Sequence, residues 1–218
     1  IRRWSWRSPH AAWWLAGAFA AAGLATWVAF APRQVEAMMG ETGPVERLTA
    51  ASYAICALLI WLLRDRRDDL RSTAAMSALM LAFSARELDW HKAFTGTSVL
   101  RLSWYAGPAS VGAKVLAASV LIVVLAALIW LVRRHAGSIW RGWRRREPMA
   151  MTVMVFLIVL VVAKSLDRSV SLLVFDAGIA VPLYWVALRS ALEEWLELAL
   201  SMLVVLALLQ QRASRPTS

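Results

Sequence analysis

The chain has 218 residues, of which 60% are hydrophobic, and its mean hydropathy is +0.58. These values exceed those of an ordinary soluble domain and are typical of a polytopic membrane protein. The net charge of +10 does not indicate nucleic-acid binding, because the basic residues fall mainly in short segments between apolar stretches. Cys56 is the single cysteine, which excludes a disulfide framework and a thiolate metal site.

Six apolar segments predict an all-α fold, with six transmembrane helices in one bundle and a single domain over residues 1–218. A helix needs about 20 residues to cross a bilayer core. Pro32 directly follows the first segment, which is interpreted as an uncleaved span and not as a signal peptide. Gly17, Ala21 and Ala25 repeat every four residues on it and predict a packing face. The segments cover about residues 11–31, 47–63, 72–90, 113–132, 149–166 and 188–209.

The arginines orient these spans. They concentrate at the amino end, in the second-to-third and fourth-to-fifth loops, and in the tail. The positive-inside rule therefore predicts that both termini are cytoplasmic. The richest loop includes the stretch from Arg141 to Arg146. It is interpreted as a topology signal, with contact to anionic lipid headgroups as the lesser alternative.

Ionisable residues recur at one depth of three predicted spans. At 1.5 Å per residue, Glu87, Lys164 and Glu197 all lie roughly 20–25 Å above the inner edge of the core. Charge inside a membrane is costly and usually marks function. A seventh acidic residue, Asp176, lies in the segment 169–188, which is interpreted as an ordinary connector, with an outer-surface helix or a re-entrant stretch as the alternative. The six carboxylates at the shared depth are Glu87, Asp89, Asp167, Glu193, Glu194 and Glu197.

This layer predicts a ligand site rich in carboxylates. His91 is its only histidine, so Mg, Ca or Mn is favoured, and Fe or Zn is less expected. The predicted metal ligands are Glu87, His91, Asp167, Glu194 and Glu197, with Asp89 and Glu193 secondary. The predicted charge-balancing or anion-binding residues are Arg86, Lys164 and Arg168; Lys92 is a further nearby cation. The alternative is a set of closed ion pairs, such as Lys164 with Asp167 or Arg168 with Glu194, which fix the helix register and bind nothing.

Three charged strings carry a resemblance. RELDWHKAFT, KSLDR and EEWLEL occur in this order and resemble strings of small six-span bacterial inner-membrane proteins. The resemblance covers about residues 82–209 and implies the fold and the inner membrane, but no activity.

Three functions stay open at this stage. The leading hypothesis is an outward-facing site that binds a cation or a polar lipid headgroup. The first alternative is a metal-dependent enzyme acting on a lipid or isoprenoid, with Asp167 and His91 as candidate catalytic residues. The second is a non-catalytic membrane subunit or sensor with a protein partner, whose charged cluster is only structural. Expected partners are the bilayer, a lipid or small ion, and another membrane protein, but no nucleic acid.

Overall fold

A computed structural model describes residues 5–40, 43–66, 68–90, 99, 102–173 and 178–214. These residues form helices joined by turns and extended segments, and no strand occurs among them. The predicted all-α class is therefore confirmed. The helices are α1 Ala11–Ala29, α2 Pro32–Met39, α3 Pro44–Leu62, α4 Leu70–Glu87, α5 Leu102–Ala106, α6 Val111–Arg144, α7 Pro148–Ser171 and α8 Leu183–Ala213.

Four candidate spans in the described chain are long and apolar enough to cross a membrane, and one of them combines α2 with α3. They are Ala11–Ala29, Pro32–Leu62, Val111–Arg144 and Pro148–Val170, and they match four of the six predicted spans. Large apolar side chains of α6, such as Leu116 and Ile122, are more than 60% exposed. Water does not favour such a surface, whereas lipid does. The other two predicted spans lie on α4 and α8, and their passage through a membrane stays a prediction.

Several helix ends differ from the prediction. The predicted loop after residue 132 is helical as far as Arg144, because arginine is a good helix former and no proline occurs before Pro148. Helix α7 continues to Ser171, so the charged string KSLDR lies within a helix. The eight-residue helix α2 was not predicted. Pro32 occupies its first turn, and the Gln34 side chain accepts a hydrogen bond from the backbone N–H of Ala31.

The structure divides into two compact units, and the predicted single domain stays a prediction. One unit is Ile1–Ser52 with Ser138–Ser218, and the other is Tyr53–Gly137. In the first unit, α8 is the central helix and packs against α1, α2 and α7. Val35 and Met39 of α2 are buried against Ala187 and Ala191 of α8.

The packing face of α1 differs from the predicted one. Gly17, Ala21 and Ala25 are exposed, and a Cβ on Gly17 would meet nothing within 4 Å. Instead, Gly23 is buried, and a Cβ there would lie 3.1 Å from the carbonyl oxygen of Ala191. The predicted packing face is therefore on the wrong side of α1. The sequence does not identify the right side, because alanine and glycine occur on almost every face of this helix.

The second unit contains the end of α3, α4, α5 and most of α6. Tyr53 and Phe83 pack with their ring centroids 5.4 Å apart, and the Ser77 hydroxyl donates to the carbonyl oxygen of Ala57 at 3.1 Å. Both contacts join α3 to α4. At the start of α4, Asp69 accepts hydrogen bonds from the Arg71 backbone N–H and the Ser72 hydroxyl. Asp69 therefore caps the helix.

Candidate functional site

The charged strings of α7 and α8 meet in the first unit. The amino end of α8 follows Pro182, whose extended conformation starts the helix at Leu183. Lys164 donates to the Glu197 carboxylate across the interface between α7 and α8. The Glu197 side chain is 3% exposed and that of Lys164 is 30% exposed. This is a largely buried ion pair, of the kind that fixes how two helices pack.

Arg189 is the second cation of this site, and it was not predicted from the sequence. Its Nη1 atom lies 2.7 Å from Glu193 Oε2 and 4.0 Å from Asp167 Oδ1, and its Nη2 donates to Ser190 Oγ at 3.1 Å. Arg189 thus bridges α8 to the end of α7. A sequence signal existed, because Arg189 and Glu193 are four residues apart on one helix and such pairs attract.

The observed contacts differ from the expected Lys164–Asp167 pair. Lys164 contacts Glu197, and Asp167 faces Arg189 at the outer limit of a salt bridge. Arg168 is exposed on α7, and Glu194 is half-buried on α8. Of the predicted site residues, the structure brings Lys164 to Glu197, and Asp167 to Glu193 through Arg189.

The other predicted site residues lie in the second unit or outside the described residues. Arg86, Glu87 and Asp89 are in the second unit, where Arg86 Nη2 lies 3.9 Å from the buried carboxylate of Glu87. Asp89 follows α4 with a φ of 51° and is half-buried. His91, with Lys92, lies outside the described residues, as does Asp176.

The predicted metal centre finds no support in the described part of the chain. No three side chains of His, Cys, Asp or Glu come close enough there to hold a metal ion. On α7 and α8, the Glu197, Glu193 and Asp167 carboxylates already face Lys164 or Arg189. A cation that bound Glu197 or Glu193 would have to displace a positive side chain.

A pocket of about 340 Å³ adjoins Arg189. It lies between the end of α7 and the segment that leads into α8. Its walls are mostly apolar and include Val170, Leu173, Ile179 and Trp185, and Arg189 is the charged residue of this lining. The Nε atom of Arg189 is buried and has no hydrogen-bond partner among the described residues. A buried donor without an acceptor is costly, so the hydrogen bonds of Arg189 are incomplete within the described part of the chain.

A Ser–His–Asp arrangement in the second unit does not form a catalytic triad. Ser72 Oγ lies 2.9 Å from His135 Nε2 and 2.8 Å from Asp69 Oδ2. The Ser72 hydroxyl donates to Asp69, so the acid here is a partner of the serine. In a triad the acid orients the histidine, and the histidine accepts the proton of the serine. Asp69 also caps α4 here, so the role of this group is structural.

Comparison of the chain with protein-family models, with curated proteins and with solved structures finds no significant match.

Proposed function

We propose that the protein is a multi-pass protein of a bacterial inner membrane that binds a zwitterionic phospholipid headgroup at the Arg189 site. In this proposal six helices cross the membrane, both termini are cytoplasmic, and the site lies in the outer layer. The four long apolar helices and the arginine-rich segments support the topology. The observation that carries the ligand is the buried, unpartnered Nε of Arg189 beside an apolar pocket.

The donors of Arg189 fit a phosphate. A guanidinium has five N–H groups, and Glu193 and Ser190 accept two of them. Asp167 at 4.0 Å is too distant for a hydrogen bond and contributes only electrostatic attraction. Three donors, including Nε–H, therefore remain for two oxygens of one phosphate, the bidentate contact that arginine favours.

The acidic side of the site fits an ammonium. Asp167 is 42% exposed, and its salt bridge to Arg189 is long. Its carboxylate can therefore accept from a ligand ammonium while Arg189 holds the phosphate. A purely anionic headgroup would lack this second contact and would meet the repulsion of Asp167. The apolar wall around Leu173 and Trp185 would receive the first part of an acyl chain.

Lipid binding to the purified chain tests this proposal. Arg189→Gln removes the contact to the phosphate. This variant should bind phosphatidylethanolamine about 10- to 100-fold more weakly, which is the usual effect of losing a charge-assisted hydrogen bond. Asp167→Asn should weaken the binding of phosphatidylethanolamine, which carries an ammonium. It should not weaken the binding of phosphatidylglycerol, which has no ammonium and is no longer repelled by Asp167. Arg33→Gln removes an exposed arginine of α2 and serves as the matched control.

Native mass spectrometry of the protein in detergent, titrated with each lipid, reports these affinities. Phosphatidylethanolamine binding that stays at the wild-type level in Arg189→Gln would refute the site. Equal responses of the two lipids to Asp167→Asn would refute the zwitterionic headgroup and leave a simple anion site.

A second candidate function has its own observation. The Lys164–Glu197 pair is closed and largely buried, which favours a non-catalytic subunit in which these charges serve packing alone. That function predicts that paired apolar replacement is tolerated, and that a membrane partner stays bound on gentle purification.

A further inference from the structure

The turn between α6 and α7 carries a compact group of positive charges. Arg141, Arg144, Arg145 and Arg146 are all exposed, and no salt bridge to a described carboxylate engages them. Trp140 is 52% exposed beside them, and its ring lies 4.8 Å from that of Trp143. Tryptophan and arginine together are typical of the membrane–water interface.

The turn is held in one conformation. The Glu147 N–H donates to the Gly142 carbonyl at 2.9 Å, and the Arg146 N–H donates to the Trp143 carbonyl at 2.9 Å. These two bonds form the Schellman motif that ends many helices. Arg146 takes the left-handed position of this motif, with a φ of 57°, where glycine is usual.

A close helix contact braces the same turn. Gly142 is buried, and a Cβ there would lie 2.8 Å from both Ala150 Cβ and Glu147 Oε2. The end of α6 therefore rests directly on the start of α7, and the arginines project from a backbone that is already ordered. A positive-inside signal depends only on how many basic residues a loop contains. This turn also fixes the positions of its arginines relative to one another.

We infer that Arg141, Arg144, Arg145 and Arg146 form a docking surface for the phosphates of anionic lipids. Four guanidinium groups on a braced turn are complementary to clustered negative headgroups, and the exposed ring of Trp140 would lie at the headgroup level. This surface is separate from the Arg189 site and takes a different lipid class. Either proposal can fail without the other.

The test compares two double variants of equal charge. Arg141→Gln/Arg145→Gln removes two charges of this surface, and Arg64→Gln/Arg66→Gln removes two exposed charges from the loop before α4. The probe is phosphatidylglycerol, titrated against phosphatidylcholine on the purified full chain and read by native mass spectrometry. Each basic residue near anionic lipid strengthens binding about fivefold, so the first variant should lose about 25-fold of its phosphatidylglycerol preference.

Arg64→Gln/Arg66→Gln should lower the phosphatidylglycerol preference only a few-fold. If the two variants lost the phosphatidylglycerol preference equally, overall charge would attract the lipid and the proposed surface would be wrong. A preference at the wild-type level in Arg141→Gln/Arg145→Gln would also overturn the proposal. An unchanged unfolding midpoint shows that the turn still folds, and Arg141→Lys/Arg145→Lys should keep most of the binding if folding is intact.

Discussion

Breaking the Lys164–Glu197 pair should destabilise the protein strongly. Glu197→Gln keeps the shape of the side chain but leaves the Lys164 charge without its partner. Loss of one partner of a buried pair costs about 3–5 kcal/mol. Because the Lys164 side chain is 30% exposed, solvent offsets part of this cost, and we expect about 3 kcal/mol. That change lowers the folding equilibrium constant by roughly 150-fold.

Reversible unfolding in mixed micelles, with rising SDS mole fraction, measures this change. Arg33→Gln, at an exposed position of α2, should change stability by less than about 0.5 kcal/mol. The double variant Lys164→Met/Glu197→Leu should regain stability to within about 1 kcal/mol of the wild type, because no charge remains to be compensated. A Glu197→Gln protein as stable as the wild type would show that the pair does not hold α7 to α8.

Two further predictions concern helix packing and pH. Gly142→Ala should destabilise the protein by about 2 kcal/mol in the same assay, because the new Cβ would lie 2.8 Å from Ala150 Cβ. Gly17→Ala should instead stabilise it by about 0.5–1 kcal/mol, because a Cβ there meets nothing within 4 Å. If both variants changed the free energy of unfolding in the same direction, the close contact between Gly142 and Ala150 would be contradicted. The hydrogen bond from the Ser72 hydroxyl, with smaller help from backbone donors, lowers the pKa of Asp69. Asp69 therefore contributes stability that is present above its unfolded pKa of about 3.9 and is lost as pH falls through the lower folded value. Wild type minus Asp69→Asn, measured between about pH 6 and 3, should show this loss; a flat difference would refute it.

The sequence predicts the helices well and their ends less well. Runs such as that of α6 are apolar enough to identify a helix, but nothing in composition stops α6 at residue 132. Its arginines favour the helix, and only the left-handed Arg146 and the following Pro148 end it. Helix α2 escaped prediction because eight residues that begin with a proline look like a turn in the sequence.

Counting residues along the helices predicts which charged residues share a depth, but not which of them are in contact. Counting residues along each span placed Lys164 and Glu197 in one layer, and they are in contact in the structure. Depth alone does not give rotation about the helix axis, so the sequence does not distinguish Asp167 from Glu197 as the partner of Lys164. Only the packing of α7 on α8 decides this.

Arg189 changes what the charged layer can bind. Without it, the predicted excess of carboxylates amounts to about two charges and favours a divalent cation. With it, Glu193 and Asp167 already face a guanidinium, and the Nε donor of Arg189 has no hydrogen-bond partner among the described residues. The predicted ligand therefore changes from a cation to a group that carries a phosphate. An experiment can then distinguish the role of the Lys164–Glu197 pair from that of Arg189. If Lys164→Met/Glu197→Leu keeps phosphatidylethanolamine and Arg189→Gln loses it, the Lys164 pair is structural and the Arg189 end binds the lipid.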